Sequence, residues 1–343
     1  MEVFKFKPIL KTLVWGGEKI APYKGIETTQ EHIGESWELS GVPGNESIVA
    51  EGPLAGRSIA SLVKEFKGRL VGESVYGRCA DEFPLLIKFI DAQKDLSIQV
   101  HPSDELAAAR HGCNGKTEMW YVIDAAPGAA LYAGLKQAIT PEEYEKRVAD
   151  GSITQVLSRY EVHPGDVFFL PAGRIHAICA GCLIAEIQQT SDITYRIFDY
   201  NRPGLDGNPR ELHTALAAKA LDFHVERNYR TDYPELANRA TQIIDTPYFD
   251  VRVMEVSKPF HRDLRKYDSF IITMCIEGDC VIHVRSTGDE ILLKEGYSTL
   301  IPAAIADFDI LPQQGRTRIL DAFIDNMDRS LATMVTRFLH LSD

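Results

Sequence analysis

Four residues in this chain have the types and spacing to hold a metal ion: Gln99 and His101 in LSIQVHP, Glu118 in GKTEMWYV, and His176 in HPGDVFFLPAGRIHAI. Gln99 and His101 are two apart, so on a strand they project to one face. His176 follows a Pro-Gly-Asp turn and the apolar run Val167 to Leu170. Two imidazoles, a carboxylate and an amide oxygen form a nitrogen and oxygen donor set without thiolate. That suits a catalytic divalent metal with a position left for water or substrate. A histidine on a strand is more often a hydrogen-bonded structural residue, and His163, His224, His261, His283 and His340 are read that way. His32, His111 and His213 are assigned to loops or helix surfaces. His101 and His176 differ, because a Pro or Gly turn fixes the backbone beside each and acceptable partners stand nearby in the pattern.

A second set surrounds these four. Lys88 lies in the apolar run PLLIKFIDA, where a lysine must face something specific. Ser97 shares the parity of Gln99 and His101, and Lys116 that of Glu118, so both should face the same cavity. Glu186 follows in AEIQQ, then Arg196 and Arg202 in TYRIFDYNRPG. Cations gathered near a divalent metal repel it and one another. They make sense if an anionic substrate neutralises them, and Lys and Arg are the usual ligands of phosphate. Glu186 is a candidate base for moving a carbon-bound proton, or else a residue that orients a metal ligand. Glu35 and Glu38 in IGESWELS are a further pair of carboxylates.

The elements that must position these residues read as mainly β. Short strand-like runs with Gly turns recur throughout, among them VFKFKPIL, IGESWELSG, NESIVAEG and PLLIKFIDA, and after about residue 240 YFDVRVMEVS, SFIITMCIEG, DCVIHVRS and STLIPA. Short helices are expected over Arg57–Phe66 with a serine cap, from Ser103 to Gly112, from Thr140 to Val148, and over Ala215–Leu221. The turn-strand spacing Gly165-Asp166…Pro171…His176 is that of a small β-barrel of the cupin type. Gly296, Pro302 and Asp307 repeat that spacing with Asp in place of His. The reading is therefore two cupin-type β-barrels (jelly rolls) with a few short helices: residues 1–240 bear the metal, and residues 241–343 form a second copy without metal ligands.

With 343 residues, a net charge of −12 and a pI near 5.4, the chain lacks the basic surface that a nucleic acid or an anionic membrane demands. MEVFKFKPILKTLVWGG does not read as a signal peptide, and no run of apolar residues is long enough for a membrane span, so a cytoplasmic protein is expected. The six cysteines should then be thiols. The Cys179-x-x-Cys182 spacing could be half of a zinc ribbon. Buried thiols packed as small hydrophobes is the preferred reading.

As a set, LVWGG, IGESWELS, PLLIKFIDA…LSIQVHP, GKTEMWYV, HPGDVFFLPAGRIHAI and SDITYRIFDYNRPG resemble type I phosphomannose isomerase in its short bacterial form. The resemblance implies one zinc ion per chain on Gln99, His101, Glu118 and His176, with Arg196 as catalytic arginine. It puts Ser97, Lys88, Lys116 and Arg202 near the bound sugar phosphate. It implies interconversion of mannose 6-phosphate and fructose 6-phosphate through a cis-enediol, with a hexose 6-phosphate as the only partner beyond a monomer or homodimer. One departure is visible: the segment between Glu118 and His176 is too short for the helical insertion of longer family members, so substrate contacts from that insertion are absent. The rivals are a cupin non-haem iron dioxygenase, whose facial triad also uses two His and a carboxylate, and a non-enzymatic sugar-phosphate-binding cupin.

Overall fold

The computed structural model describes residues 1–324. His340 and the end of the expected second copy lie outside the described residues. Two compact units emerge. A nested unit comprises Pro8–Ser47 and Pro84–Asp232, and a framing unit comprises Met1–Lys7, Ile48–Phe83 and, among the described residues, 233–324. The framing unit thus takes two segments from the first half of the chain, which a single boundary at residue 240 leaves with the other part. The cause is strand pairing: Phe4 and Lys5 pair with Leu300 and Thr299.

In the nested unit a six-stranded antiparallel sheet runs, in spatial order, Ile9–Gly17, Ile33–Ser40, Leu85–Ala92, Cys182–Gln189, Glu118–Ala125, Val167–Leu170. A five-stranded sheet runs Tyr195–Phe198, Ile98–Val100, His176–Ile178, Ala130–Leu135, Leu157–Glu161. Ile90, Trp120 and Ile184 of the first sheet pack with Leu131, Ala133 and Ile178 of the second in one buried core. The outer face of the five-stranded sheet, with Ile98, Val100, Tyr195 and Ile197, is covered by residues of the helices Pro141–Ala149 and Thr214–Ala220.

The framing unit repeats the plan. A six-stranded sheet runs Phe4–Lys5, Tyr297–Ile301, Ile271–Glu277, Thr317–Phe323, Asp250–Val256, Thr241–Asp245. It packs through Ile271, Ile319 and Phe323 against Ile282, Phe308 and Ile310 of a four-stranded sheet, Phe260–Asp263, Asp307–Pro312, Cys280–Val284, Glu290–Leu293. Each unit therefore holds two facing sheets of jelly-roll type, and among the described residues neither pair closes into a continuous barrel.

Local sequence explains the ends of the elements. Ser58, Ser103 and Thr140 each accept a hydrogen bond from the backbone three residues on and open the helices Ile59–Phe66, Asp104–His111 and Pro141–Ala149. Each cap is worth about 0.5–2 kcal/mol. Gly165, in the Pro-Gly-Asp turn, has φ +94°, and Gly173, in the loop before His176, has φ +92°. A side chain is strained in that region, so both turns lean on glycine. NESIVAEG forms only isolated bridges, Phe6 to Val49 and Ile48 to Ser58, instead of the expected strand. Cys179 and Cys182 are buried free thiols whose pKa burial pushes up to about 12, which leaves them unreactive. No helix among the described residues is long and apolar enough to cross a membrane.

Candidate metal centre

Strand register brings the four sequence-derived ligands together in the nested unit. Gln99 lies directly opposite His176, the first residue of His176–Ile178, and His101 follows the strand Ile98–Val100. Glu118, the first residue of Glu118–Ala125, comes from the facing six-stranded sheet. The ligating atoms of His101, Glu118 and His176 lie within 4.8 Å of one another, and all three residues are buried. His101 Nε2 is 3.3 Å from Glu118 Oε2, and His176 Nε2 is 3.2 Å from Glu118 Oε1.

The backbone sets the chemistry of both rings. His101 Nδ1 is 3.0 Å from the Ile193 carbonyl, and His176 Nδ1 is 2.8 Å from the Arg174 carbonyl. A carbonyl only accepts, so each Nδ1 carries the proton and donates it, which leaves each Nε2 lone pair aimed inward. Burial first, then the charge of Lys116, outweighs Glu118 and lowers the His101 pKa to about 3, so this ring is neutral near neutral pH. Burial alone would raise Glu118, but Lys116, His101 and His176 hold it well below the usual carboxylate range. Gln99 Nε2 is 3.3 Å from His176 Nε2, and amide nitrogen and oxygen exchange places by a half-turn of the side chain.

Lys116 Nζ lies 2.9 Å from Glu118 Oε2 and 3.1 Å from His101 Nε2. Despite that ion-pair distance, neither Glu118 oxygen receives a hydrogen bond among the described residues. A buried carboxylate without hydrogen bonds costs on the order of several kcal/mol unless something else satisfies it. Two imidazole nitrogens and the two Glu118 oxygens converge here with one ammonium, that of Lys116, beside them, and a divalent cation answers the acceptors that remain. The residues fit a metal ion.

Lys88 forms the next layer. It lies opposite Glu186 across neighbouring strands, with Nζ 3.0 Å from Glu186 and 4.0 Å from Glu35. Burial works to discharge Lys88, but Glu186 and Glu35 prevail and hold it above the ordinary lysine value. Trp120 Nε1 donates to Glu186 at 2.8 Å, and its ring meets His176 edge-on at 5.2 Å. Ser97 is buried, its Oγ 3.5 Å from Gln99 Oε1.

The comparisons with known proteins agree along the chain. The family model of the phosphomannose isomerase type I catalytic domain matches residues 3–127, and that of the mannose-6-phosphate isomerase cupin domain matches residues 239–320. Mannose-6-phosphate isomerase ManA of Bacillus subtilis is 32% identical over 312 residues, which cover 89% of this chain and 94% of that protein. The chain belongs to the type I mannose-6-phosphate isomerase family. Mannose-6-phosphate isomerase of Streptococcus mutans is 35% identical over 245 residues, 71% of this chain and 76% of the relative. The crystal structure of mannose 6-phosphate isomerase from Bacillus subtilis superimposes with a TM-score of 0.84 at 32% identity, covering 94% of this chain and 99% of that one.

The arginines that the family resemblance singles out sit less simply. Arg196 is opposite Gln99 across the strand pair, so it shares the face of the candidate metal ligands. Its Nη1 donates to the Glu211 carbonyl at 2.9 Å, while its Nε is buried without a partner among the described residues. Burial, then the charges of Arg210 and Arg202, lowers its pKa. Arg202 is not a free cation: its Nε and Nη2 lie 3.1 and 2.7 Å from Asp199 Oδ1. Arg210 binds the same carboxylate at 2.7 and 2.6 Å. Sequence reasoning missed Asp199 and Arg210, and no local pattern marks Arg210 in NPRELH. Glu35 and Glu38 do not act as a pair. Glu35 accepts from Trp37 Nε1 at 2.6 Å, whereas Glu38 is bound by buried Lys24 at 2.7 Å and by Ser36 at 2.6 Å. Three residues apart on a strand, they project to different sides, Glu38 on that of Ser36.

Proposed function

We propose that this chain interconverts mannose 6-phosphate and fructose 6-phosphate through a cis-enediol, using one zinc ion per chain held by Gln99, His101, Glu118 and His176. The observation that carries the proposal is the buried Glu118 carboxylate between two inward-aimed imidazole nitrogens, in a chain of this family. When bound, the ion would supply Lewis-acid polarisation of the sugar oxygens at the reacting carbons.

The remaining work belongs to side chains. A proton must move between C2 and C1, and Glu186 is assigned to carry it. Lys88 and Trp120 fix both Glu186 oxygens, which holds the carboxylate in one orientation. Negative charge that develops on oxygen is stabilised by the Lys116 ammonium and the Arg196 guanidinium, placed beforehand in a buried site. Ser97, Lys88 and Arg202 bind substrate in this reading, and Arg210 joins them. Asp199 offsets one of the two guanidinium charges it binds and leaves the other for a phosphate dianion. The protein is read as cytoplasmic, with a small-molecule substrate and as a monomer or homodimer.

The test is an assay on mannose 6-phosphate with metal analysis. One equivalent of zinc should accompany activity, chelation should abolish turnover, and zinc should restore it. Full activity in metal-free protein would overturn the metal assignment. Equal turnover of free mannose would overturn the role of the arginines. For Glu186, the measurement is exchange of the C2 proton with solvent in Glu186→Gln. Loss of exchange with zinc content intact supports proton transfer; retained exchange with loosened zinc means that Glu186 orients Trp120 against His176.

A further inference from the structure

Arg196 is held by a segment that follows it in the chain. It lies on Tyr195–Phe198, an edge strand of the five-stranded sheet. An edge strand presents backbone N–H and C=O groups with no neighbouring strand to pair with. At Arg196 both go to residue 213. The Arg196 N–H donates to His213 Nδ1 at 3.1 Å, and the Arg196 carbonyl accepts from the His213 N–H at 2.6 Å. The Glu211 carbonyl accepts from Arg196 Nη1 at 2.9 Å. Residues 211 and 213 thus hold the arginine at three points, two on its backbone and one on its guanidinium.

His213 makes this contact in place of a local one. It stands just before the helix Thr214–Ala220, at the position from which Ser58, Ser103 and Thr140 cap other helices with their side chains. The His213 side chain makes no cap bond. It turns back to the strand, with its ring 6.4 Å from that of Tyr195. A backbone N–H only donates, so Nδ1 is the accepting nitrogen and the neutral ring carries its proton on Nε2. Tyr195 is itself held, its hydroxyl 2.8 Å from His111 Nε2.

We propose that His213 is a positioning residue for Arg196: its Nδ1 fixes the backbone from which the guanidinium reaches the face of the candidate metal ligands. The inference rests on the reading of Arg196 as the arginine that stabilises developing charge. Arg196 lies opposite Gln99, so a shift of this strand passes directly into the site. An arginine side chain has several rotatable bonds, and charge stabilisation requires the guanidinium to stand in place before reaction. The Glu211 carbonyl holds one end of it, and the buried Nε, without a partner among the described residues, is an N–H left for that charge.

The experiment compares variants of the full, metal-loaded chain on mannose 6-phosphate. His213→Phe keeps a ring beside Tyr195 but no acceptor, whereas His213→Asn places an amide oxygen near the position of Nδ1. His213→Phe should lower kcat by about tenfold to a hundredfold with KM little changed, the scale of a displaced catalytic group. His213→Asn should restore most of that loss. When Arg196→Ala is already present, adding His213→Phe should lower kcat little further, because its effect runs through the arginine. Metal content should be equal in all of these chains. If His213→Phe fails to fold, His213→Leu, which has the shape of the His213→Asn side chain without its acceptor, takes its place. A His213→Phe chain that turns over like wild type would overturn the proposal. So would a His213→Asn chain as slow as His213→Phe, or a His213→Phe loss of the same size with Arg196→Ala as without it. The two readings fail separately. A slow Arg196→Ala chain beside a fast His213→Phe chain removes the positioning role alone; an Arg196→Ala chain with unchanged kcat removes the role of the arginine and this inference with it.

Discussion

The two units build one architecture around buried carboxylates in opposite electrostatic settings. In the nested unit two imidazole nitrogens and the Glu118 carboxylate converge, with the Lys116 ammonium 2.9 Å from the carboxylate. In the framing unit the buried Asp321 carboxylate accepts from Thr273 at 2.8 Å and pairs with Arg262 at 2.9 Å. The buried carboxylates respond in opposite directions. Neighbouring cations hold Glu118 well below its usual range, whereas burial prevails over Arg262 at Asp321 and raises it. The contrast shows that a pair of packed sheets accommodates a buried carboxylate in either setting. What decides is whether the neighbouring groups outweigh burial, as Lys116, His101 and His176 do at Glu118 and Arg262 does not at Asp321.

The largest test of this contrast is His101→Ala. It removes an inward lone pair from the nested unit only, and turnover should fall by roughly three orders of magnitude or more. Metal analysis should show loss of the ion and circular dichroism a folded chain, since the jelly-roll core does not rest on His101. A variant that retains its metal would mean the donor set is misread. Arg196→Ala comes next, with kcat down by about 10²–10³ and KM little changed if the guanidinium stabilises charge formed during reaction. Arg202→Ala should act mainly on KM, raising it by about tenfold to a hundredfold for the phosphorylated sugar. If these two responses are exchanged, the two arginines have exchanged roles.

A smaller effect concerns acid. In metal-free protein the His101 pKa falls from 6.5 in the ordinary case to about 3 on folding. The unfolded chain then binds more protons between those values, so stability is present above pH 6.5 and is lost as pH falls toward 3. Thermal melts of metal-free protein should show this slope, and the metal-loaded form should resist it until the ion leaves. The smallest expected effect is that of Asp307→Ala. Asp307 opens its strand as His176 does, but it pairs with Asp263 while its neighbour Phe308 turns into the core. It should leave metal content and turnover alone. Loss of a second ion per chain on this substitution would break the comparison.

Much of the nested site was legible because it depends on parity and turns. Gln99 and His101, or Lys116 and Glu118, are two apart, and that spacing puts side chains on one side of an extended chain. Lys88 was legible as a charge stranded in an apolar run. The same signal stood at Asp321 in RILDAF, where Leu320 and Ala322 flank it as Ile87 and Phe89 flank Lys88. Helix starts at Ser58, Ser103 and Thr140 were legible because a cap is a local event. Asp199 with Arg202 and Arg210 was not, because that cluster depends on how the loop from 199 to 210 folds back. The membership of residues 1–7 and 48–83 in the framing unit was not legible either, since strand partners distant in sequence leave no local mark.

The pairing of Phe4 and Lys5 with Leu300 and Thr299 also has a consequence in time. At ribosomal rates of about 5–20 residues per second, the first strand waits on the order of 15–60 s for its partner to be synthesised. The nested unit, Pro8–Ser47 and Pro84–Asp232, is complete well before that and can fold while the segments on either side of it are still unpaired. Nascent chains stalled near residue 240 should therefore already capture metal, with their N-terminal strand open to protease until the last strands emerge.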